Sequence, residues 1–205
     1  MTPRMVNAAV LGASLLGSLA MTQPIIDPRV DSRLSGRVHD VVVAMIDSAR
    51  NDGLPTEPLV QKAFEGVGKG APSGLIISAL HDYLSDLRRA RTALGPTASI
   101  SDVEAGALAL RNKIDVHYLE RLRATKAAAP LRIATALNVL SYIRGIGVHP
   151  DTAANVITSL VLASATDDQL LALKDDIERD IAGGVSAALA LSARGQGLTA
   201  LIAAV

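Results

Sequence analysis

From Val38 onward the chain repeats one pattern, apolar residues three and four apart, cut at short intervals by glycine and proline. Val38, Val41, Val42, Met45, Ile46 and Ala49 fall on one stripe and predict a helix over about Gly36 to Asp52. Gly53 stops it, since glycine takes the left-handed conformation past a helix end without a Cβ penalty. Leu59, Val60, Ala63, Phe64 and Val67 mark a second helix, and Ile76, Ala79, Leu80, Tyr83, Leu84 and Leu87 a third, with Gly70-Ala71-Pro72-Ser73 between them. Arg88, Arg89 and Arg91 close the third before the Leu94-Gly95-Pro96 boundary, where positive charge suits the carbonyl-rich end.

Ser101-Asp102-Val103-Glu104 predicts a capping box and a short helix to about Arg111. Asp115 caps another bearing Leu119 and Leu122, and Pro130 opens one with Ile133, Ala134, Leu137, Leu140 and Ile143. Ala153, Val156, Ile157, Leu160 and Val161 form the next stripe. Thr166-Asp167-Asp168-Gln169 is a second capping box ahead of Leu170, Leu173, Ile177 and Ile181. After Gly183-Gly184, two short Ala- and Leu-rich segments split by Gly195 and Gly197 complete the chain. The expectation is an all-α fold, a compact bundle or a short array of stacked helical hairpins, with about seven to nine helices.

A shift of 94 residues lays Gly53-Leu54 on Gly147-Val148, Gly70-Ala71-Pro72 on Ser164-Ala165-Thr166, and Ile76, Ala79, Tyr83 and Leu87 on Leu170, Leu173, Ile177 and Ile181. Residues 36–95 and 130–184 are therefore candidate related halves of one helical domain, 36–205. Two copies are fewer than a solenoid needs, so an ordinary bundle with coincidental turn chemistry stays open beside a duplicated array.

Ahead of that domain, Arg4 precedes the uncharged run Met5–Ala20, with Ser18 and Ala20 as the small residues of a cleavage site. Residues 1–20 are expected to be a signal peptide, since the run is shorter than the roughly 20 apolar residues that span a bilayer. Residues 21–35, with Pro24, Asp27, Pro28 and Asp31, read as an irregular leader.

Hydrophobic residues make up 49% of the 205, yet only three Tyr, one Phe and no Trp contribute, so the core must be built from Ala, Leu, Val and Ile. Lys+Arg and Asp+Glu both number 20, which with few aromatics argues against nucleic acid as a partner. The absence of cysteine excludes disulfides, thiolate metal sites and thiol catalysis.

His39-Asp40 and His81-Asp82 are the pairs that suggest catalysis. In pattern they resemble helical metal-dependent phosphohydrolases of the HD type. That resemblance implies a divalent cation held by His39, His81 and Asp82 with Asp115, and covers those residues with no surrounding motif. The plainer reading is half-exposed histidines beside apolar stripes. His117 lies on a short polar helix, and His149 precedes Pro150 in a capping position. Gly66-Val67-Gly68-Lys69-Gly70 lacks the spacing and the Ser or Thr of a phosphate loop and reads as a helix end with close packing.

Asp175, Asp176, Glu178, Arg179 and Asp180 read as the wet face of a helix, with Asp175–Arg179 an i,i+4 pair. Arg121, Arg123, Lys126 and Arg132 form a basic counterpart that an anionic partner would suit. Neither G-x-S-x-G nor H-E-x-x-H occurs.

The leading expectation is an exported, non-enzymatic helical binding or scaffold protein, without a cofactor, that engages a protein, peptide or envelope component. It would touch a membrane only through an uncleaved N-terminal segment. A metal-dependent phosphoesterase and a carrier of an apolar ligand are the alternatives.

Overall fold

One turn recurs six times among the described residues and sets the architecture. At Gly53, Gly70, Lys113, Gly147, Ser164 and Gly184 the backbone takes positive φ. In each case the amide of that residue donates to the carbonyl three back. The next amide reaches the carbonyl five back, as in Leu54 to Ala49 at 2.8 Å, Ile114 to Ala109 at 3.1 Å and Ala165 to Leu160 at 2.9 Å. This Schellman arrangement satisfies carbonyls that a helix end leaves free. The residue after the turn is apolar every time, and Leu54, Ile114, Val148 and Ala165 are buried. A new helix starts two or three residues later, so successive helices reverse direction.

The computed structural model describes residues 27–125 and 133–204, and these form ten helices and no strand. They are α1 (Pro28–Arg33), α2 (Gly36–Asn51), α3 (Glu57–Gly68), α4 (Ser73–Leu94), α5 (Ile100–Arg111), α6 (Val116–Thr125), α7 (Ile133–Gly145), α8 (Pro150–Leu162), α9 (Asp167–Ala182) and α10 (Ala187–Ala203). Residues 1–26, which hold the expected signal peptide and the first six residues of the expected leader, and residues 126–132, which include Lys126, Pro130 and Arg132, lie outside the described residues.

Two rows of helices result. In one, α2 packs on α4, α4 on α6, α6 on α8 and α8 on α10; in the other, α5 packs on α7 and α7 on α9. Contacts between α2 and α3, α3 and α4, α4 and α5, α7 and α8, and α9 and α10 tie the rows together. Small side chains allow the close approach. Ala90, Ala107, Ala109, Ala136 and Ala153 are fully buried, and a Cβ on Gly106 would sit 3.0 Å from that of Ala90 and 3.1 Å from Leu94 and Leu119.

Asp102 joins two helices of the second row. One of its carboxylate oxygens accepts from the Ser99 amide, closing the cap of α5, while the other accepts from the Ala134 amide in the first turn of α7 at 2.9 Å. The residue is 4% exposed. The two amides are partners fit for a buried carboxylate.

Several expectations change in detail. Within the supposed leader, Asp27 caps the short α1, which adds a helix to the expected number. The capping box of α5 uses Ser99 and Asp102, with Ser101 inside the first turn. The C-terminal segments are one continuous helix, α10, because Gly195 is used for packing: a Cβ there would meet Val156 at 2.7 Å. Arg179 pairs with Asp176 instead of Asp175, while Lys174 takes Glu178 at 2.7 Å. The Thr166–Gln169 capping box forms as expected.

The 94-residue displacement holds in the backbone. Helices α2 and α7 end in register, α3 and α8 end in register, and α4 and α9 begin in register. Yet α2 belongs to one row and α7 to the other. The unit that repeats is thus a single helix with its turn, and the hairpin is built from two such units.

Candidate functional site

Helix α3 should be the first member of the row α5–α7–α9, but its main contacts are with α2 and α4. The space between α3 and α5 is a groove of about 460 Å³ floored by α4 and lined by Gln61, Lys62 and Glu65 of α3, Tyr83 of α4, and Leu108 and Arg111 of α5. Around Leu108 and Arg111 it continues into a more polar recess of about 610 Å³ that includes Asp86, Arg89 and Asn112.

The floor and one wall are apolar where water has access. Leu108 is 44% exposed, and Ile100, two turns earlier on α5, is 60% exposed. The Arg111 guanidinium stands 5.2 Å from the centre of the Tyr83 ring, and among the described residues no carboxylate lies within ion-pair distance of it. Toward the start of α5, Glu104 also lacks an ion pair among the described residues. Burial, and then the charge of Glu57, raises its carboxyl above the usual range. Tyr83 is raised as well, first by burial and then by Glu104. Glu65, in contrast, is held down to about 2 by hydrogen bonds from Lys62 and Lys69. The groove thus sets Leu108 and Tyr83 beside the cationic Arg111, and Glu104 stands just beyond its lining, one turn before Leu108 on α5.

The residues singled out for catalysis are scattered. His39 on α2 lies between Asp31 at 2.9 Å and Asp40 at 3.1 Å, and the Asp31 contact ties α1 to α2. His81 and Asp82 are exposed on α4. Asp115 accepts the His117 amide at the start of α6, and the His117 ring pairs with Glu120. His149 precedes α8 without a side-chain capping bond. Among the described residues no three His, Asp or Glu side chains are grouped to hold a metal ion. Gly66–Gly70 is the end of α3, where Gly66 leaves room for Ile76.

The basic cluster is divided too. Arg121 stacks on Tyr118 at 5.4 Å, and Arg123 rests against Gly95, where a Cβ would come within 2.7 Å of its Cζ. No described helix is long and apolar enough to cross a membrane.

The apolar spacing puts Tyr83 on a core stripe and gives Leu108 no role. The available signal was on α5, where Ile100 and Leu108 fall away from the buried positions Val103, Ala107 and Leu110. The chain matches no protein-family model, no curated protein and no solved structure.

Proposed function

We propose that this is a non-enzymatic binding protein whose α3/α5 groove holds a segment of another protein. The observation that carries the reading is the gap in the second row. A row otherwise filled by neighbouring helices has room there for one more element, with apolar surface at Leu108 and Tyr83, a cation beside it at Arg111 and a carboxyl group just beyond the lining at Glu104. A segment bearing an apolar side chain for Tyr83 and Leu108, a basic group toward Glu104 and an acidic group toward Arg111 would satisfy all three, and amphipathic helices dock into such grooves. Export, proposed from Met5–Ala20, would make the partner a protein or peptide of the envelope or exterior. A mature form starting at Met21, found by N-terminal sequencing, would support that part.

The groove is tested by pull-down from an envelope extract with wild-type protein and with the Leu108→Glu and Tyr83→Ala variants. The expected result is a partner recovered by the wild type and lost at least about tenfold by both variants, as for central anchors of an interface. Helical circular dichroism should be unchanged. Equal recovery by the variants, or turnover of a small substrate by the purified protein, removes the reading.

A further inference from the structure

The C-terminal end of the array carries a second groove of opposite character. Between α8 and α10 lies a cavity of about 540 Å³ lined by Asn155, Ser159, Ser192, Gln196, Thr199 and Ala200 among others, none of them charged. Its floor is the contact of Val156 with Gly195. Helices α8 and α10 are neighbours in one row and run in the same direction.

Each wall ends in an exposed leucine, at opposite ends of the groove. Leu162 follows Asn155 and Ser159 on the α8 stripe, at the C-terminal end, and is 65% exposed. Leu189 precedes Ser192, Gln196 and Ala200 on the α10 stripe, at the N-terminal end, and is 62% exposed. A two-fold axis through the middle of the groove, near Gln196, would reverse a second copy and lay its Leu189 against Leu162 of the first, twice over. The surface is also electrically self-compatible. Arg194 is the only charged residue of α10, and it is taken by Asp180 at 2.6 Å and Asp176 at 3.6 Å.

We infer that the α8/α10 face is the contact surface of a symmetric homodimer. A C2 interface must be complementary to itself, and here neutral small residues meet their own kind while each leucine meets the other. The 17 residues of α10 extend about 25 Å, and with the α8 wall they offer a strip of roughly 500 Å². That is below the ~800 Å² per partner of a standard interface, which places the dimer at the weak, concentration-dependent end of specific association.

Sedimentation of the purified protein over a concentration series should show monomer passing to dimer, and Gln196→Glu, which sets two like charges near the axis, should weaken it at least tenfold. The chain has no cysteine, so single thiols report the register without interference. Mixed Leu162→Cys and Leu189→Cys proteins should be joined by a short bis-maleimide, whereas neither variant should cross-link alone. A monomer at hundreds of micromolar overturns the proposal. So does a dimer indifferent to Gln196→Glu, or one without the mixed cross-link, since either would mean association through another part of the chain.

Discussion

The segments α2–α4 and α7–α9 share turn geometry residue for residue, but the chain leaves them in different ways. Helix α9 has 16 residues and leads by the Gly184 turn straight into α10, which packs on both α9 and α8. Helix α4 has 22 residues and passes through Gly95 and Pro96 to the Ser99 cap before α5 begins. Six more residues carry the chain about 9 Å further along the axis. Helix α5 then packs on α4 and α7 in place of α3. The same helix-turn unit therefore closes a row at one end of the protein and leaves it open at the other. The longer α4 accompanies the open place, which is where the α3/α5 groove lies.

If the placing of α5 opens the row, the contact that fixes α5 against α7 is the one whose loss should disturb the arrangement most. Asp102→Ala removes an acceptor from two amides at once, the buried one of Ala134 and the part-buried one of Ser99. Hydrogen bonds to a charged group contribute about 1.5–3 kcal/mol each, so urea denaturation should show a loss of about 3 kcal/mol. Asp102→Asn keeps one acceptor oxygen and should lose about half as much. A loss under about 1 kcal/mol for the alanine variant would mean that α4 alone positions α5. Leu108→Glu, at an exposed position of the same helix, should change stability by less than about 0.5 kcal/mol.

Asp102 also shows what could be read in advance and what could not. Local spacing predicts the box at Ser101 and Glu104, whereas the one that forms uses Ser99 and Asp102. The choice falls to Ser99 because the second oxygen of Asp102 is held by an amide 32 residues away, a contact no local pattern contains. Turns at Gly53, Gly70, Gly147 and Gly184 were legible because positive φ selects glycine. The same turn at Ser164 is legible only through the 94-residue shift that lays it on Gly70, and at Lys113 nothing in the side chain advertises it. Gly195 was read as a break for the complementary reason, its role being to admit Val156. The helical class was legible because the 3.6-residue stripe is local. The α3/α5 groove was not, because it is a missing contact between helices far apart in sequence.

Gly70 and Ser164 occupy equivalent turns in the two segments, with φ of 65° and 67°, which allows a reciprocal test. A side chain in the left-handed region costs about 1 kcal/mol, so Gly70→Ser should lose about that much. Ser164→Gly should gain somewhat less, about 0.5 kcal/mol, because glycine also gives the unfolded chain more freedom. Equal and opposite shifts in thermal denaturation would mean that the two turns are energetically one device. A loss at Gly70 well beyond about 1 kcal/mol would instead place a packing demand at that turn that Ser164 does not share.

The smallest expected effect separates the two segments by pH. His39 on α2 has no counterpart on α7, where the equivalent position is Ile133. Hydrogen bonds to Asp31, and then to Asp40, raise its pKa above the ordinary 6.5. Below that value the imidazole is protonated in both the folded and the unfolded chain, and the full stabilisation is present. As pH rises the unfolded chain loses its proton first, and the contribution fades as pH passes the folded value. The Tm of wild-type protein should therefore exceed that of His39→Gln by more near about pH 5.5 than near about pH 8.5. The change should be confined to the docking of α1 on α2, because Asp31 is the only one of the two acids that lies on another helix. A gap that widens with rising pH would show that the neutral imidazole is the favoured partner and that the two aspartates do not hold its proton.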